Sequence, residues 1–165
     1  MAAQFNLAAG LSRGEYLLPM GSDDLASDPD LLKEEVEILE SLPEYDVVYC
    51  DHWLLRPDGK RVRIKYRGLG DLSREELYQR MLKKQEIAHG ATLWRKEKMP
   101  RYDLSVAPAD DWDLFLTALE NGANFYHIPK RLWTYRVGHP HMSGTEAMAE
   151  GCKKVLAKRG INTCN

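Results

Sequence analysis

Two short acidic clusters hold the residue types with the most chemistry in this chain. The first closes the stretch Gly14-Glu15-Tyr16-Leu17-Leu18-Pro19-Met20-Gly21-Ser22-Asp23-Asp24, where an apolar run meets adjacent carboxylates. Paired carboxylates after a buried strand suit a hard divalent cation, Mg²⁺ or Mn²⁺, which keeps some waters and also binds substrate phosphates. They equally suit a turn and helix cap ahead of Asp28-Pro29. The second cluster, Ala109-Asp110-Asp111-Trp112-Asp113-Leu114, opens an amphipathic segment. The helix dipole favours acids there, and capping explains at least one of them. Three acids in four residues exceed that need and leave a carboxylate to take a proton from an attacking hydroxyl.

A third segment, Tyr135-Arg136-Val137-Gly138-His139-Pro140-His141, ends a strand with one cation and two imidazoles. Near a carboxylate-rich cleft Arg136 suits a diphosphate and His139 a metal shell; the same residues also suit a solvated loop. Trp94, Trp112, Trp133 and Tyr135 offer rings for a sugar face, although aromatics at strand and helix spacing are usually core, and Trp133 is read as core. Asp51 ends another apolar run, either toward the same cleft or toward the turn that follows. His52, His89 and His127 are read as packing or surface residues. The sequence has no Gly-rich phosphate loop, no Gly-x-Ser-x-Gly and no zinc-type helix motif.

The elements that must position these groups alternate between helix and strand. Helical spacing covers 2–12, and a short buried strand covers Glu15 to Met20. Asp28-Pro29 starts a helix to about Leu42, with Leu31, Leu32, Val36, Leu39 and Leu42 as its inner stripe. A β-rich run from Asp46 to Leu55, the turn Pro57-Asp58-Gly59-Lys60 and a returning strand from Arg61 form a hairpin. Ser73-Arg74-Glu75-Glu76 is a capping box for a helix to about Lys84. A helix from Trp112 to Glu120 closes at Asn121-Gly122. Phe125–Ile128 and Arg131–Tyr135 read as two short strands, followed by a terminal helix over about 144–158. The class is α/β or α+β.

The chain has 165 residues, 44% hydrophobic and 29% charged, with net charge −2 and pI near 6.2. That balance suits one domain without an electrostatic footprint for nucleic acid. Acids and bases alternate, no basic run points to a membrane surface, and no apolar stretch is long enough to span a bilayer. Three cysteines without Cys-x-x-Cys spacing read as free thiols in a reducing, cytoplasmic setting.

The ordered set resembles the family 2 glycosyltransferases of the GT-A fold over residues 3–145. Asn6 to Leu17 is similar to that family's RN-x-G-x-x-x-A-x-G-E-Y-I segment, and Met20-Gly21-Ser22-Asp23-Asp24 to its L-D-S-D-D metal motif. Asp46 to Asp51 with Asp58-Gly59 resembles its middle strand and hairpin. Asp110-Asp111-Trp112-Asp113-Leu114 resembles E-D-W-D-L, and Tyr135-Arg136 with His139 and Ser143 its closing Y-R-x-H…S segment. The resemblance implies a partial GT-A-like fold, a three-layer mixed sheet flanked by helices, with 146–165 as a C-terminal helix and polar tail. It implies that Asp23 holds the metal that bridges the diphosphate of a UDP- or GDP-sugar, with Asp24 and Arg136 beside the donor and His139 touching metal or diphosphate. Asp111 would be the base of an inverting transfer, with Asp110 and Trp112 near the acceptor. Gly21 stands where the family has the first acid, Phe5 where it has arginine, and its opening strand–helix–strand segment has no counterpart here. An exposed edge at Glu15–Met20 then predicts a homo-oligomer. The alternatives are a non-catalytic, oligomeric remnant that serves as a binding or scaffold module, and a metal-dependent hydrolase on the same carboxylates.

Overall fold

The computed structural model describes residues 2–66, 68–138 and 144–161. Helix α1 (Ala2–Leu11) leads into β1 (Tyr16–Leu17), β2 (Leu25–Ala26), α2 (Leu31–Ser41), β3 (Val47–Leu55) and β4 (Arg61–Ile64). Then follow α3 (Arg74–Lys83), β5 (Thr92–Arg95), α4 (Asp110–Glu120), β6 (Phe125–Arg136) and α5 (Glu146–Ala157). The six strands form one curled mixed sheet, in the order β1-β5-β3-β6-β2 with β4 also on β3, and helices flank it. The protein is therefore a mixed α/β protein.

Strand β3 is the axis. Its first half pairs antiparallel with β5, Val47 opposite Trp94 and Tyr49 opposite Thr92. Its second half pairs antiparallel with β4, His52 opposite Ile64 and Leu55 opposite Arg61. On its other side β3 runs parallel to β6 from Val47–Phe125 to Leu55–Arg136. The two short strands expected at 125–128 and 131–135 are thus one strand. Proline breaks a ladder at its own N–H, but irregularities opposite Cys50–His52 absorb Pro129 and let β6 continue. The strand expected over Glu15–Met20 is confined to Tyr16–Leu17, paired with Trp94 and Arg95 at one end of the sheet.

Two apolar layers result. One packs α3, α4 and α5 on the sheet around Tyr49, Trp94, Phe115 and Leu116; the other packs α2 on it around Val48, Leu93, Ile128 and Trp133. Helix α3 begins with the expected capping box: the Ser73 hydroxyl accepts from the Glu76 N–H, and Glu76 returns a bond to the Ser73 N–H. Helix α4 begins at Asp110, two residues before the expected start, so the acids occupy its first turn.

Helix α2 departs from its expected stripe. Leu32 is 53% exposed, while Glu35 is fully buried with no partner for either carboxyl oxygen. Burial alone lifts the Glu35 carboxyl from 4.5 to about 8, because an ion in that layer loses its hydration. The folded chain holds this proton while the unfolded chain has released it, so stability present at low pH is lost as pH rises toward 8. Burial also lifts Asp24 to about 6 and lowers His52 and His89 to about 4. With an ordinary value near 6.5, the two histidines still hold protons in the unfolded chain up to about pH 7.5 and oppose the Glu35 slope below that. Between about pH 7 and 8 the unfolding free energy is expected to fall as pH rises, with Glu35 contributing at most about 1.4 kcal/mol per pH unit. Urea denaturation should show this slope in the native sequence and lose it in Glu35→Gln; an unchanged slope in the variant would refute the assignment.

Candidate functional site

The turn Gly21-Ser22-Asp23-Asp24 closes through the Asp24 N–H, which donates to the Gly21 carbonyl at 3.2 Å. A β-carbon on Gly21 would lie 2.9 Å from Asp23 Oδ1 and 3.2 Å from Asp24 Oδ2. The two carboxylates therefore fold back over residue 21, where a larger side chain would have to displace the Asp23 carboxylate. Strand β2 then pairs Leu25 with Thr134 and Ala26 with Trp133, a register that brings Asp24 toward Tyr135. Asp23 is exposed and Asp24 half-buried. Asp24 Oδ1 is sealed from solvent with no hydrogen-bond partner. Burial first, and the Asp23 charge second, hold the Asp24 carboxyl up at about 6, with the Arg136 backbone amide and guanidinium pulling the other way.

Opposite this turn sits Gly90, in a single helical turn at His89–Ala91. A β-carbon there would come within 2.5 Å of Trp133 Cζ2 and 2.9 Å of Asp24 Oδ2, so the backbone approaches as closely as only glycine permits. Next to it, His89 Nε2 lies 2.6 Å from the Tyr102 hydroxyl. Tyr102 is locked to α1, whose Asn6 bonds both its carbonyl and its N–H at 2.9 Å, while Phe5 stacks on its ring. Burial keeps His89 neutral, against the opposing pull of the Asp110 charge.

The start of α4 completes the group. Asp111 Oδ2 accepts from Gln85 Nε2 at 2.8 Å and Oδ1 from the Trp112 N–H at 2.8 Å. Burial pushes Asp111 above the usual carboxylate range although the Gln85 bond opposes it. Burial pushes Asp110 up as well, helped by the Asp111 charge. The two segments meet at Tyr135: after burial, its phenol is held high by the charges of Asp24, Asp23 and Asp111 together. Asp23, Asp24 and Asp111 thus lie near enough to the end of β6 for their charges to act on Tyr135. Arg136 closes that strand, with its Nε buried and unpartnered.

Other expected groups lie elsewhere. Trp112 is buried and its indole N–H donates to the Met81 carbonyl at 2.7 Å, so its ring belongs to the core and not to an acceptor platform. Trp94 and Trp133 are fully buried core residues. Asp51 faces neither cleft nor turn; it accepts from the Tyr66 N–H at 3.0 Å and sits 2.9 Å from His127 Nε2. Asp113, the third acid of α4, is consumed by Lys158 and Arg159 at 2.9 and 2.7 Å. His139, His141 and Ser143 lie outside the described residues. Among the described residues no group of three or more His, Cys, Asp or Glu side chains is gathered to hold a metal unaided. Tyr102 and Gln85 escaped the sequence reading, since a lone residue in a loop carries no spacing signal, and His89 is read there only as a packing or surface residue.

No family model matches the chain, and no curated protein matches it significantly.

The close approach at Gly90 is directly testable. Gly90→Ala should lower stability by about 1–3 kcal/mol and disturb Trp133, read by urea unfolding followed through tryptophan fluorescence. A variant as stable as the parent would mean the turn moves freely and does not fix Asp24.

Proposed function

We propose that this chain is a glycosyltransferase domain of the family 2, GT-A type, transferring a sugar from a UDP- or GDP-sugar to an acceptor hydroxyl. The reading is supported by the β2–β6 pairing, which sets Asp24 beside Tyr135 at the end of β6, with Asp111 near enough for its charge to act on the same phenol. Open α/β sheets bind ligands at strand ends of this kind.

The residues fit a divalent cation. Asp23 and Asp24 place adjacent carboxylates with one buried, unpartnered oxygen, and burial, with the Asp23 charge second, raises Asp24. Mg²⁺ is ordinarily held by one or two carboxylates plus substrate phosphates and water, so a larger protein cage is not required. When bound, Mg²⁺ or Mn²⁺ would neutralise charge on the departing nucleoside diphosphate. In this reading Asp23 would hold the metal, and His139, which lies outside the described residues, would touch metal or diphosphate. The Arg136 guanidinium, flanking Asp24, pairs with the diphosphate.

Asp111 takes the acceptor's hydroxyl proton. The acceptor oxygen then bonds to the anomeric carbon as the carbon–phosphate oxygen bond breaks, and that electron pair leaves with the diphosphate. Gln85 fixes which Asp111 oxygen is engaged, and burial brings the carboxyl nearer to the working pH of a base. Asp110 stands at the acceptor side, whereas Trp112 supports the helix from the core. The short β1, with one side unpaired, supplies the edge for self-association.

Calorimetric titration with UDP and with GDP, with and without Mn²⁺, tests the donor site. Metal-dependent binding is expected, and Asp23→Ala should abolish it. Asp111→Asn should bind nucleotide normally yet lose about 10²–10⁴-fold in turnover once an acceptor is found. A folded sample that binds neither nucleotide would sink the proposal.

A further inference from the structure

Between residues 56 and 67 the chain carries Arg56, Lys60, Arg61, Arg63, Lys65 and Arg67 against the single acid Asp58. Along the sequence Val62, Ile64 and Tyr66 interleave with this charge, so no unbroken basic run is visible. Strand geometry reverses that dilution, because alternate residues share a face with a repeat of about 6.8 Å. The antiparallel register sets Arg63 beside Trp53 and Arg61 beside Leu55. The parallel register on the far side of β3 adds Arg136 beside Leu55 and Arg131 beside Asp51. The Trp53 ring ends up between two guanidinium groups, Arg63 at 5.6 Å and Arg131 at 5.1 Å from its centre.

Most of this charge is uncommitted. Arg61, Arg63 and Lys65 are exposed, and among the described residues none of them has a carboxylate within ion-pair distance. Arg56 meets Asp58 at 3.7 Å. Arg131 and Arg136 each keep a buried Nε without a partner. Charges on an edge strand often serve only to block edge-to-edge pairing, which would account for β4. That role does not extend to Arg131, which lies on the inner strand β6, or to the two guanidinium groups on Trp53.

We propose that this face is a peripheral docking surface for an anionic phospholipid bilayer. Guanidinium groups match phosphate geometry. Each basic residue brought within a Debye length of an anionic leaflet strengthens attachment, so a local patch suffices whatever the charge elsewhere. A nucleic acid fits less well: the chain is acidic overall, with pI near 6.2, and the Trp53 ring, the aromatic of this face, already carries two guanidinium groups. Among the described residues no helix is long and apolar enough to cross a membrane, so this attachment is to the surface. Arg61, Arg63, Lys65 and Arg131, which carry this proposal, have no part in the sugar-transfer reading, and Arg136 is the one residue the two share.

The test is co-sedimentation of the full chain with phosphatidylcholine vesicles, with and without phosphatidylserine, at low and high salt. Binding is expected only with phosphatidylserine, and high salt should release it. The combined variant Arg61→Gln, Arg63→Gln, Lys65→Gln should partition about a hundredfold more weakly. A control with the same charge change, Lys33→Gln, Lys153→Gln, Lys154→Gln, should bind like the parent. Thermal unfolding confirms that both variants are folded. The proposal is overturned if the parent ignores phosphatidylserine, if both variants lose binding equally, or if the parent binds heparin or polyuridylate but not vesicles.

Discussion

Parallel strands cannot be joined by a tight turn, and the pairing of β3 with β6 makes the rest of the chain answer to that constraint. From Leu55 the chain must travel back before Phe125 can lie beside Val47. It spends that distance on β4, α3, β5 and α4, which build one apolar layer on the way. The return ends in α4, the turn Asn121-Gly122, with Gly122 at positive φ, and then β6. A helix joined to a strand by so short a turn runs back along it. The first turn of α4, with Asp110 and Asp111, is therefore aimed along β6 toward the end that carries Tyr135 and Arg136. Strand β2 pairs with that same end and brings Asp24. One strand thus gathers acids separated by more than eighty residues of sequence, and no long-range code in the motifs themselves is needed.

Hydrogen-bond satisfaction separates the acids into two kinds. Asp113 is closed: Lys158 and Arg159 occupy both its oxygens, and Arg159 also reaches Thr117 and Glu120. A buried carboxylate so fully paired belongs to the architecture, since removing either side strands a charge. It fastens α5 to α4, and Gly151 lets the two approach, because a β-carbon there would press on Val106 O at 2.9 Å and Ala109 N at 3.1 Å. Helix α5 with Lys158 and Arg159 is therefore packed into the same unit as the acid-bearing helix. By contrast, Asp24 Oδ1, Trp133 Nε1, Thr134 Oγ1 and Arg136 Nε are all buried and unpartnered. Three of these four atoms come from β6 and the fourth from the turn beside it. Unsatisfied polar atoms are expensive; these four lie along one strand end, and the other four among the described residues belong to Glu35, Tyr49 and Arg131.

Features governed by neighbours in sequence were legible. The Ser73 capping box, the Pro57–Lys60 turn and the acidic start of α4 each follow from a few adjacent side chains, and the structure places them as expected. Features decided across the sheet were not. Pro129 reads as a strand break, yet an irregular register opposite Cys50–His52 accommodates it. Trp112 reads as a free ring near acids, yet Met81 claims its N–H. Asp51 reads as a cleft or turn acid, yet Tyr66 and His127, fifteen and seventy-six positions away, enclose it.

Glu35 and the basic face show the same limit from opposite directions. In the sequence Glu35 sits within Lys33-Glu34-Glu35-Val36-Glu37, where any glutamate looks like a solvated face, and Leu32 looks like core. Helical phase alone assigns the reverse once Leu31 and Leu39 are fixed against the sheet, because residue 35 lies four positions from each and shares their side. The burial penalty on its carboxylate is then imposed by two leucines and not by any preference of its own. On β4 the alternation that dilutes positive charge along the chain concentrates it on one side in space. In both cases the residue types were in plain view. What the sequence withheld was which face each strand and helix turns inward, a choice made by the pairing partners of β3.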